Sequence, residues 1–384
     1  MYYTNLKISK PNIFGVLLGI AAATGHATSL RFFGFVGLSE FLFLVIILYL
    51  FCKSPYFFLK KNNFYEFITR SYLLFSTFLV LPLTTILYSI YLSNSQISYQ
   101  IYVLSFILGI TLIFLITESI RADLINLKLA SLVFLVIFII MNFYALWFEI
   151  SIYDPGRYSG FSNNPNQLII YITSLMLMLV AFRRKLFFLS LPFLIYIGLE
   201  SRSDTFLVII ASMIFTFIFL SIFNYIKLNF FLRMYIMSIV LIGLVALAIF
   251  YYFQELIIFL ESADGDLVRL KLMYNGFLAT LHSPFIGLGV GSFSGLEYAF
   301  QGSEAHNTFL DLSMQFGIIV PIILYFVIFA ALFKSIKNRD NLLATIIVAF
   351  FICSLFNFYA RHFVFWLVIG FLYYYYYTGF KPQK

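Results

Sequence analysis

Apolar runs of roughly 15 to 26 residues follow one another along almost the whole chain, separated by short polar breaks. They are too long and too continuous for the alternating strands of a membrane β-barrel. A helix rises about 1.5 Å per residue, so runs of this size suit a hydrocarbon core roughly 30 Å thick. The pattern predicts about twelve helices, near residues 13–30, 32–52, 67–92, 99–117, 124–148, 167–182, 186–200, 205–226, 232–253, 307–333, 342–359 and 362–380. The sixth and seventh are short enough to be tilted or re-entrant, and only residues 357–362 part the last two. Residues 254–305 break the pattern. They are too polar for a bilayer and read as one large loop, with a short amphipathic helix from Arg269 to about Leu281. The expected architecture is a single all-α polytopic membrane domain, residues 1–384, with that loop inserted between the ninth and tenth spans.

Composition agrees with the pattern and excludes other classes. Of 384 residues, 62% are hydrophobic and 10% charged, more apolar surface than a soluble domain can hide. The leading MYYTNLKISKPN has no small-residue cleavage site, so the first span is expected to be retained. Cys52 and Cys353 are isolated, the second inside an apolar run, so neither a disulfide framework nor a thiolate metal site is expected.

The net charge of +8 reads as a topology signal once its location is considered, and no nucleic-acid partner is expected from it. With the N-terminus cytoplasmic, 18 of the 24 cations fall in inner loops, leaving Arg31, Arg157, Arg202, Arg269, Lys271 and Arg361 outside. Both termini are then inside. The inner set is mostly lysine, which suffices where only charge matters. The outer set is mostly arginine, whose planar fork suits phosphate or carboxylate. All four histidines (His26, His282, His306 and His362) also fall outside. No cation lies deep in a predicted span, and Glu40 is the single acid that does. Ion-coupled transport, which needs ionisable groups near the midplane, is disfavoured.

Four outer segments carry candidate chemistry. Residues 157–166, with Arg157, Asn164, Pro165 and Asn166, lead into a helix whose first N–H groups can cap themselves or hold an anion. Glu200-Ser201-Arg202-Ser203-Asp204 sets an arginine at a helix start, where the dipole disfavours it unless an acid or an anion compensates. Arg269 and Lys271 precede Gly287-Leu288-Gly289-Val290-Gly291, glycines that permit close backbone approach but lack the strand and spacing of a nucleotide site. Glu304-Ala305-His306-Asn307 opens the tenth helix, with a histidine suited to take a proton near neutral pH. No HExxH, CxxC or GxSxG motif is present, so neither zinc chemistry nor a nucleophile-elbow hydrolase is expected.

Together these segments resemble the O-antigen polymerase and O-antigen ligase superfamily. The matching residues are Arg157, Gly160-Phe161, Asn164-Pro165-Asn166, Ser201-Arg202-Ser203, Arg269 ahead of Pro284 and the glycine triplet, and His306-Asn307 before a helix interrupted at Gly317. The resemblance covers roughly residues 155–335, and upstream only the hydrophobic layout and residues 31–40 are similar. The aromatic residue that follows the third arginine in the family is represented by Tyr274. The resemblance implies a GT-C-type membrane glycosyltransferase with its active site on the periplasmic face of the bacterial inner membrane. The implied donor is an oligosaccharide on undecaprenyl diphosphate, with no metal, cofactor or nucleotide sugar. Membrane lipid and a chain-length regulator are the further expected partners. Arg202 and Arg269 would grip the diphosphate and His306 would deprotonate or orient the acceptor hydroxyl. Arg157, Asn164, Asn166, Lys271, Asn307, Gly289 and Gly291 would complete the substrate-binding surface. Within the family a polymerase is favoured over a ligase that transfers the glycan to lipid A core. A lipid-linked glycan flippase is the alternative outside it, and would call for cations lining a cavity within the membrane.

Overall fold

The computed structural model describes residues 13–27, 31–32, 36–58, 125–151, 156–226, 232, 235 and 268–378. The predicted spans near 67–92 and 99–117, all of 232–253 except Leu232 and Tyr235, and loop residues 254–267 lie outside the described residues. Among those described there are 11 α-helices and one antiparallel pair of two-residue strands. The chain divides into two compact units. The first takes in residues 1–75, 104–206 and 362–384, and the second residues 76–103 and 207–361.

In the first unit the elements are α1 (Ile13–Thr24), β1 (Arg31–Phe32), β2 (Val36–Gly37), α2 (Leu38–Phe58), α3 (Leu127–Trp147), α4 (Pro165–Phe182), α5 (Arg184–Glu200) and α11 (Phe363–Thr378). Helix α4 is apolar all round and almost wholly buried, as a central helix should be. It packs against α3, α5 and α11. Helix α3 has one buried face and one exposed face bearing Val136, Ile140, Phe143 and Trp147. In lipid such a face needs no cover, and association depends on close packing instead. The α1–α3 contact supplies it. Gly15 and Gly19 lie on one face of α1, and a Cβ at Gly19 would come within 2.6 Å of the Ala130 carbonyl oxygen.

Helix α6 (Asp204–Tyr225) begins in the first unit and continues in the second. The second unit adds α7 (Val268–His282), α8 (Thr308–Phe316), α9 (Ile319–Lys337) and α10 (Asn341–Leu355). Helix α8 packs against α7, α9 and α10. Among the described residues four helices, α3, α4, α6 and α9, are long and apolar enough to cross a membrane. The chain is a helical membrane protein.

Three departures from the predicted helices have local causes. The first helix stops at Thr24, and Gly25 and His26 form a turn where continuation to residue 30 was expected. Helix α2 starts at Leu38, which places Glu40 in its first turn and not deep in a span. The run 307–333 is two helices, because Gly317 adopts φ of 78° and ends α8 before α9 begins. The predicted helix after Arg269 is present as α7, and residues 356–362 do separate α10 from α11.

Candidate functional site

The candidate residues fall into two groups, one per unit. In the first unit Tyr158 accepts no ornamental role: its N–H donates to the Glu200 carbonyl at 3.0 Å and its hydroxyl to Asn142 Oδ1 at 3.0 Å. These bonds fix residues 157–160 between α3 and the end of α5. Arg157 is thereby held with its Nε 3.3 Å from the Ser201 carbonyl oxygen. Asn164 caps α4, its side chain accepting from the Asn166 N–H at 2.8 Å. Asn166 in turn accepts from the Ser203 hydroxyl at 2.6 Å, which joins the starts of α4 and α6. Both asparagines therefore have structural partners. Arg202 stands apart from them: it is exposed and has a φ of 46°, a left-handed conformation that a non-glycine residue adopts at a cost of roughly 1 kcal/mol.

In the second unit the glycine triplet packs against the chain itself. Leu288 N–H and Gly289 N–H donate to the carbonyls of Met314 and Gln315 at 2.7 and 3.0 Å, and Gly291 N–H reaches Gln315 Oε1 at 3.4 Å. A Cβ at Gly287 would collide with the Gln315 carbonyl. The close approach that glycine permits here is to the end of α8. Leu288 packs against the cluster of Ala279, Ala305 and Met314, which ties the loop to α7, whose first turn carries Arg269 and Lys271.

His306 sits in the turn before α8, half-buried, with φ of 53°. Asn307 caps α8 through the Leu310 N–H at 3.1 Å and donates from Nδ2 to the Leu355 carbonyl at 2.8 Å. Thr308 donates its hydroxyl to the Asn357 carbonyl at 2.6 Å and accepts the Tyr359 N–H at 2.8 Å. The turn is thus sewn to residues 355–359. The same segment delivers Arg361, whose Nη1 lies 2.5 Å from Glu304 Oε1. Burial lowers the His306 imidazole below its ordinary value. The Glu304 charge opposes that shift, and the Arg361 and Arg269 charges reinforce it. The result is an imidazole that is neutral at pH 7 and therefore able to accept a proton, in surroundings rich in guanidinium.

The other histidines are placed differently. His26 is fully buried against Phe138 and Tyr171, and His362 is buried beside the Tyr171 hydroxyl. His282 is exposed and meets the ring of Phe300. The sequence placed Arg361 among the outer cations and Glu304 and Asp311 in the segment of His306, but assigned none of the three a role toward it. The Arg361–Glu304 pair spans 57 residues, and no local pattern encodes it. Asp311 had a readable signal, an acid in the first turn of a helix that Asn307 already caps. The sequence matches no protein-family model and no curated protein.

Proposed function

We propose that the chain is a surface-polysaccharide polymerase, a metal-independent membrane glycosyltransferase that joins undecaprenyl-diphosphate-linked repeat units. In this reading it has about twelve spans of the GT-C type, lies in a bacterial inner membrane with both termini cytoplasmic, and works on the periplasmic face. An acceptor sugar hydroxyl attacks the anomeric carbon of the donor glycan. The new C–O bond forms as the bond to the diphosphate oxygen breaks, the hydroxyl proton passes to His306 Nδ1 or Nε2, and undecaprenyl diphosphate leaves with the electron pair. The resemblance assigns Arg202 and Arg269 to the charge of that leaving group and Arg157 to the donor. Preorganised donors aimed at developing charge are worth about 10²- to 10³-fold each.

The observation that carries the reading is His306 itself. It is held in a left-handed turn, kept neutral by burial, and surrounded by the charges of Arg269 and Arg361. A base beside guanidinium groups suits a reaction that takes up a proton and releases an anionic leaving group. The test is deletion of the gene in its source organism, read as the ladder of surface polysaccharide on a gel. Loss of the ladder with one repeat still attached to core, rescued by wild type but not by His306→Ala, Arg202→Ala or Arg269→Ala at equal membrane levels, is the expected result. Accumulation of lipid-linked polymer would make the chain a ligase, and an intact ladder would make it neither.

A further inference from the structure

We propose that Asp311 is the positioning residue for His306, a role that rests on reading His306 as the base. Asp311 Oδ1 accepts the N–H of Ala305 at 2.8 Å, and Oδ2 accepts the N–H of Asn307 at 3.1 Å. One carboxyl group therefore holds the amides on both sides of His306. Those two bonds fix the residue whose φ of 53° would otherwise relax.

Two bland explanations fit less well. An acid in a first turn helps the helix dipole, but a solvated acid does that, whereas Asp311 is 1% exposed. Capping of α8 is already done by Asn307, whose side chain accepts from Leu310 N–H. What remains for Asp311 is the turn. The far side of the turn is braced separately, Arg361 holding Glu304 two residues before His306. Ala305 is itself fully buried, packed with Ala279 and Met314, so the turn has no room to drift on that side. With the backbone held at residues 305 and 307 and the Glu304 side chain held by Arg361, the freedom left to His306 is rotation of its side chain. The charged groups acting on the imidazole are Glu304, Arg361 and Arg269.

The chemistry of the clamp specifies the variant. Burial and the Glu304 charge raise the pKa of the Asp311 carboxyl, and the two backbone N–H donors oppose that by favouring its ionised form. Asparagine keeps one acceptor oxygen and turns an NH₂ against the second N–H, so Asp311→Asn retains one bond and makes the other a donor-against-donor contact. The first readout does not depend on catalysis. Diethyl pyrocarbonate acylates neutral imidazole, and its rate at each histidine of the purified full-length protein is followed by peptide mass spectrometry over about pH 5 to 8. Asp311→Asn is expected to raise the His306 rate about fivefold or more and to move its midpoint up toward the ordinary value, with the exposed His282 unchanged. The second readout is repeat-unit transfer. Turnover should fall about a hundredfold while the donor KM stays within about twofold, as for a misplaced catalytic group. If Asp311→Asn does not accumulate in the membrane, Asp311→Glu takes its place, with a smaller shift in the same direction. A His306 profile superimposable on wild type overturns the proposal, as does a lost turnover matched by an equal rise in KM. A shifted profile in a protein that transfers no repeat units sustains the clamp and removes the polymerase reading.

Discussion

His306 owes its protonation state to opposing neighbours, and this gives a prediction at the level of single residues. Burial is the leading cause of its lowered pKa, Glu304 pulls it back up, and Arg361 and Arg269 push it further down. Replacing Glu304 by Gln removes the one charge that favours the imidazolium and releases Arg361 from its ion pair. Both changes act in the same direction, so Glu304→Gln should lower the His306 midpoint further, read as the pH dependence of its acylation. An upward shift would contradict the electrostatics described. The sign for stability also follows. A histidine whose folded pKa is depressed contributes fully above the unfolded value of 6.5 and loses that contribution as pH falls below it. The wild-type protein should therefore lose thermal stability on acidification below that value, and His306→Gln should lose less.

Helices were legible where the signal was local. Asn164 before Pro165 and Asn307 before Thr308 mark helix starts that the structure places at those residues. The apolar run 307–333 by itself read as one helix, and only the resemblance carried an interruption at Gly317, whose φ of 78° glycine takes without strain. What could not be read was the reason for the break. Ile318 N–H donates to the Pro284 carbonyl at 2.8 Å, and the loop of residues 284–291 is laid along the end of α8. That pairing joins segments some thirty residues apart, with no periodicity to announce it. The glycine triplet read as a place of close approach to a ligand, and in the structure Gly287 and Gly289 approach the chain's own backbone at the end of α8. Gly317→Ala adds a Cβ that would collide with the Phe285 carbonyl and forces alanine into a left-handed φ. The expected loss is about 2 kcal/mol or more, measured as a lower denaturation midpoint in detergent, with the loop 284–291 more open to protease. Wild-type stability in this variant would mean that the loop and α8 are not locked together.

Over the whole molecule, composition and hydropathy specified a helical membrane protein, and four helices among the described residues are long and apolar enough to cross a bilayer. Helices such as α6, which exposes Leu207, Ile214, Phe215, Ile218 and Ile222, make sense only with lipid against them. The candidate residues were less completely legible. The arginines and His306 stood out because they are rare polar residues in an apolar chain, whereas the Arg361–Glu304 pair and the Asp311 clamp arise from contacts formed only on folding. The proposed reaction is glycosidic bond formation from a lipid-diphosphate donor with His306 as the base. The most direct measurement places the purified protein in liposomes with undecaprenyl-diphosphate-linked repeat units and chelator, and resolves product length on a gel. The account predicts chains of increasing length from wild type and none from His306→Ala at equal protein. Absence of polymer from active, well-folded wild type, or polymer made at the wild-type rate by His306→Ala, would contradict it.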